Sequence, residues 1–141
     1  MTTLLSNAVV PVASVDDAEA TASSLSAHDA EVGTVTLVYV VEKAGGSPDK
    51  ASVEQREEMA QEAFDAFDAV LPDAVGDRRI TYDTDVVDGI ISVADEIDAT
   101  AIAFTARKGG RLVRLLTGDV AYRLMTDATR PVVSLPRHVD E

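Results

Sequence analysis

The chain has 141 residues, a length suited to one domain, and 46% of them are hydrophobic, enough for a single buried core. The absence of cysteine excludes disulfides, thiolate catalysis and cysteine-ligated zinc. A formal charge of −13 argues against a general nucleic-acid binder or a partner of anionic membranes, since both would be repelled at long range.

The kind of charge is also informative. Of the basic residues only Lys43, Lys50 and Lys108 are lysine, the rest being arginine, and Asp outnumbers Glu. That balance resembles proteins adapted to molar salt, where a Debye length of about 3 Å stops such a surface repelling itself. An ordinary acidic protein is the alternative. No stretch approaches the roughly 18 to 20 apolar residues of a membrane span, and Met1 to Asn7 carries no basic residue ahead of its short apolar run. A cytoplasmic protein is therefore expected.

In chain order, Ala8 to Ala13 reads as a buried strand with Pro11 near its end, where a missing donor is tolerated. Ser14 with Asp16 and Asp17 then reads as an N-cap and an acidic first turn, opening a helix to about Ser26 with Ala18, Ala22 and Leu25 inward. Val35 to Val41 is the clearest strand, too apolar to have one face in water. Glu42 to Lys50 contains Gly45, Gly46 and Pro48 and reads as a loop. Ser52 to Gln55 fits a capping box, and Val53, Ala60, Ala63, Phe64, Phe67, Val70 and Leu71 keep a helical period up to Pro72. Arg79 to Thr84 is a short strand, Asp85 to Asp98 a helix with Val86, Ile90, Ala94 and Ile97 inward, and Ala99 to Thr105 a fourth strand.

Ala106 to Thr117 is basic and contains glycine. Asp119 is expected to cap a last helix with Val120, Ala121, Leu124 and Ala128 inward, and Pro131 to Leu135 is the last strand before a polar tail. Strands separated by helices can share a sheet only through crossover connections, which implies a three-layer α/β/α sandwich around a five-stranded parallel, doubly wound sheet of flavodoxin-like size. In such sheets a ligand sits beyond the carboxyl ends of the strands, so the loops after Ala13, Val41 and Thr105 are the places to look.

The segments VVPVASVDDAEA, TVTLVYVVE and AIAFTARKGGRLVRLLTGDVAYRLMTDATRPVVSLP together resemble the universal stress protein family over nearly the whole chain. The resemblance implies an adenine-nucleotide alpha-hydrolase-like fold and ATP or AMP as ligand. It also implies a homodimer joined through the Pro131 to Leu135 strand, an edge segment too apolar to leave in water. In that family, ATP-binding members carry G-x2-G-x9-G-(S/T) after the fourth strand and an Asp closing the first. Here Ala13 stands at that Asp position, Thr105 and Lys108 at the first two glycines, Gly118 at the third, and Asp119 at the hydroxyl. A carboxylate at Asp119 satisfies the helix start itself and repels phosphate.

Against this, Arg107, Lys108, Arg111 and Arg114 fall within eight positions of an otherwise acidic protein, with Gly109 and Gly110 between them. Such a cluster suits an anion; ion pairs with neighbouring acids explain it equally well. The candidate binding set is therefore Pro11, Val12, Ala13, Val41, Thr105, Arg107, Lys108, Gly109, Gly110, Gly118, Asp119 and Val120. No metal is expected, because His28 and His138 are the only histidines and lack a ligand pattern. No nucleophile elbow or Walker-type loop occurs, so no catalytic residue is named. A regulatory binding module is the leading reading, and a homodimer of the same fold without nucleotide is the rival. Asp16, Asp17, Asp83 and Thr105 distantly resemble a phospho-accepting receiver domain, but Leu135, Pro136 and Arg137 stand where a Lys-Pro is expected.

Overall fold

The computed structural model describes residues 3–42, 50–105 and 118–135. Its strands are β1 (Asn7–Pro11), β2 (Thr34–Glu42), β3 (Val75–Asp83), β4 (Ala101–Thr105) and β5 (Val132–Leu135). They form one sheet in the order β3-β2-β1-β4-β5, with every pairing parallel. The helices are α1 (Val15–Ser26), α2 (Lys50–Val70), α3 (Val86–Glu96) and α4 (Gly118–Asp127).

Two apolar layers hold the sandwich together. On one face Ala18, Ala22 and Leu25 of α1 and Ala60, Ala63, Phe64 and Phe67 of α2 pack on Val10, Leu37, Tyr39 and Ala103. On the other, Val87, Ile90 and Ala94 of α3 and Leu124 of α4 pack on Val9, Val38, Val40, Ile102 and Phe104. Alternate residues of β1, β2 and β4 thus feed opposite layers, so these strands are apolar throughout because water reaches neither face. Gly89 lets α3 lie close to β2: a Cβ there would sit 3.1 Å from both γ-carbons of Val40.

The expected caps form at two helices. Ser14 Oγ accepts from the Asp17 N–H at 3.2 Å, and an Asp85 carboxylate oxygen accepts from Val87 at 2.8 Å and Asp88 at 3.2 Å. Elsewhere the boundaries differ. β1 ends at Pro11, two residues before Ala13, and β4 begins at Ala101, after a left-handed Asp98 with φ 55° that ends the preceding turn. α2 starts at Lys50, so Ser52 lies inside the helix instead of capping it, and Val70 is 40% exposed where the helical period placed it inward. β3 starts at Val75, directly after a 3-10 turn over Pro72–Ala74, four residues before the expected Arg79. Its first half is polar because it is an edge strand, where charge is tolerated. Asp119 is the second residue of α4 and not the residue preceding it.

Candidate functional site

Helices α1 and α2 share one face and α3 and α4 the other, so the chain changes direction between β1 and β4. This switch point is where an open α/β sheet presents a crevice at its strand carboxyl ends. The backbone hydrogen bonds show how β1 is joined to its two neighbours here. Thr34 donates to the Ser6 carbonyl at 2.9 Å and Val12 to the Val38 carbonyl at 2.9 Å, so the even-numbered residues of β1 turn their backbone groups toward β2. The odd-numbered residues turn toward β4, as when the Asn7 carbonyl accepts from Thr100 at 2.7 Å. The β1–β4 register runs through Ala8↔Ala101 and Val9↔Ile102 and stops. The next residue due to donate is Pro11, which has no N–H. One imino acid therefore coincides with the end of the paired register and takes a backbone donor from β1 at this point.

Around that break the structure places Pro11, Val12 and Ala13 from β1 and the turn after it, Val41 near the end of β2, and Thr105 at the end of β4, all buried. Val120, half-buried in the first turn of α4, packs against the α3 layer. Gly118 and Asp119 open the same helix, and the Asp119 side chain lies outside the described residues. Arg107, Lys108, Gly109 and Gly110 also lie outside them, as do Arg111 and Arg114. α4 is tied to α3 by Arg123, whose guanidinium lies 3.0 Å from the Asp85 carboxylate. Burial raises the pKa of that carboxyl, but the Asp88 and Val87 N–H groups and the Arg123 charge outweigh it, holding Asp85 below the usual carboxylate range.

Two features escape a reading of the residues alone. Asp17, read from the sequence as part of an acidic first turn, is fully buried. Thr21, one turn further along α1, shares a buried hydroxyl hydrogen bond of 2.8 Å with Thr105. Asp17, Thr21 and Ser24 are all buried and lie four and three residues apart, forming a polar stripe beside the apolar Ala18, Ala22 and Leu25. That spacing is the signal that could have found them. The Thr21 bond anchors α1 to Thr105 at the end of β4. Among the described residues no group of three or more His, Cys, Asp or Glu could hold a metal ion, and no helix is long and apolar enough to cross a membrane.

Comparison with known proteins accords with this geometry. No curated protein matches the chain. A universal stress protein from Archaeoglobus fulgidus is 26% identical, with a TM-score of 0.69, over 92% of this chain and 97% of its own. A structure of the universal stress protein from Archaeoglobus fulgidus in complex with dAMP is 23% identical, with a TM-score of 0.67, over 94% and 99%. A universal stress protein in complex with cAMP is 16% identical, with a TM-score of 0.62, over 95% and 99%. The model of the universal stress protein family matches residues 5–136, and the chain belongs to that family.

Proposed function

We propose that this chain is a regulatory module that binds a nucleotide or another small phosphate ligand in the crevice between β1 and β4. The observation that carries the reading is the break in the β1–β4 ladder at Pro11, at the switch point of a fold whose relatives have been solved with dAMP and cAMP. In this reading Pro11, Val12, Ala13 and Val41 supply an apolar floor, and the N–H groups at the Gly118 to Val120 start of α4 face the phosphate. Arg107 and Lys108, with Gly109 and Gly110 for close backbone approach, add the positive charge. Ala13 removes the acid that the family pattern sets against the nucleoside, and Asp119 brings a negative charge to the helix start. The carboxylate at Asp119 favours a ligand of low charge, AMP over ATP, while Ala13 weakens the hold on the nucleoside.

Titration calorimetry with AMP, ADP and ATP in molar KCl tests this. Binding that disappears in Arg107→Ala with Lys108→Ala supports the site, and Asp119→Ser should tighten it. No heat with any of the three in the parent protein removes the proposal.

A second reading, an interaction homodimer without nucleotide, draws on β5. This edge strand, Val132–Leu135, carries no charged side chain, unlike the edge at β3 with Asp77, Arg78 and Arg79. An uncharged edge is a template for pairing, and a second copy joined along Pro131 to Leu135 would cover it. A monomeric native mass in 2 M salt would remove this pairing. The module is placed in the cytoplasm of a salt-accumulating cell, as its composition suggests, and no reaction is assigned to it.

A further inference from the structure

At the opposite edge of the sheet, the two halves of β3 differ. In the register, Leu37 lies beside Arg78, Tyr39 beside Ile80 and Val41 beside Tyr82. Thr34 and Val38 bond toward β1, so Leu37, Tyr39 and Val41 turn their backbone groups toward β3. They meet the groups of Asp77, Arg79, Thr81 and Asp83, which leaves the N–H and C=O of Arg78, Ile80 and Tyr82 pointing out of the sheet. The first half of this edge is blunted. The Arg78 N–H is taken by its neighbour's Asp77 Oδ1 at 2.9 Å, and the Arg79 side chain pairs with Asp77 and with Glu96 of α3.

The second half carries no such guard. Ile80 is half-buried and Tyr82 is 42% exposed. Beside Ile80 a groove of about 390 Å³ opens between β3 and α2, walled by Glu54, Glu57, Glu58 and Gln61. The Tyr82 hydroxyl donates to Glu57, and Arg78 pairs with Asp68 at 2.5 Å, so α2 is tied to β3 at two points. An extended chain laid along Ile80 to Tyr82 would find outward-facing donors and acceptors. Its side chains on the α2 face would point into a wall of carboxylates.

We infer that the Ile80 to Tyr82 edge docks an extended, basic segment of another protein, which adds a strand to the sheet and sets Arg or Lys against Glu54, Glu57 and Glu58. Charge complementarity at contact selects this occupant: the groove is walled by Glu54, Glu57 and Glu58, which favour cationic side chains set against them. A second copy of the chain would bring like charge to like. This site is independent of the crevice at Pro11, on the far side of β2.

The test is fluorescence anisotropy at about 0.15 M salt with a labelled eight-residue peptide alternating Arg and Val, read alongside amide hydrogen exchange. The expected results are saturable binding, slowed exchange at the Ile80 and Tyr82 amides, and affinity at least about tenfold weaker in Glu54→Lys with Glu58→Lys. The same peptide with Pro in place of Val should not bind, because it cannot donate to the edge. No binding by the parent protein overturns the inference, as does equal binding of the Pro peptide, which would leave only diffuse charge attraction. A dimer that dissociates on Ile80→Arg would assign the edge to a second copy and overturn it as well.

Discussion

The Thr21 and Thr105 hydroxyls are each other's partners in a place closed to water. Removing one leaves the other without this bond, at a cost of about 1–3 kcal/mol, whereas replacing both by valine removes the need along with the bond. Thr21→Val and Thr105→Val should each therefore be clearly destabilised in urea unfolding, and the double variant should recover most of the loss. Equal, additive losses would mean that the two hydroxyls are not coupled. Asp17 shows the limit of local reasoning at this scale. An acid in a first helical turn is adequately explained by the helix dipole, and only the folded structure reveals that this one is buried. Pro11 is the converse case: its missing donor is legible from the residue type alone. Which neighbouring strand loses that donor depends on the register.

At the scale of elements, α1 and α3 were legible because cap and period agree, with Ser14 and Asp85 each followed by an apolar stripe. β3 was legible only in part. Gly76, Asp77, Arg78 and Arg79 lack an apolar run, because an edge strand answers to its single neighbour and to solvent. The start of α2 was misplaced because a capping-box pattern at Ser52 is a local signal that a longer helix can override. The Asp85 cap carries its own prediction. Its folded pKa lies below the ordinary value, so its contribution to stability is present above that ordinary value and is lost as pH falls through the folded one. Asp85→Ala should cost about 1 kcal/mol at neutral pH. The gap between variant and parent should narrow on acidification below the ordinary carboxylate range, as read by thermal melts across pH. A gap that stays constant down to pH ~2 would show that the charge of Asp85, and its pairing with Arg123, contributes nothing.

Across the whole molecule, the parallel five-stranded sheet and its layering follow from alternating apolar runs and amphipathic helices, and that much was readable in advance; the strand order β3-β2-β1-β4-β5 was not. The proposed ligand crevice was readable only as a location, because the charged residues assigned to it, Arg107 and Lys108, fall outside the described residues. A net charge of −13 on 141 residues has a global consequence. Self-repulsion in dilute buffer opposes the compact state and is screened as salt rises. The melting temperature should climb by several degrees between about 0.1 M and 2 M KCl. A flat or falling profile would remove the salt-adapted reading of the composition.

The proline at position 11 also bears on how the molecule would handle an occupant. No rearrangement of the two strands can supply the donor that Pro11 lacks, so a backbone bond from that residue cannot form when an occupant leaves. Release of an occupant at that position would have no backbone bond donated from Pro11 to re-form, and residence time would be set by the side chains around it.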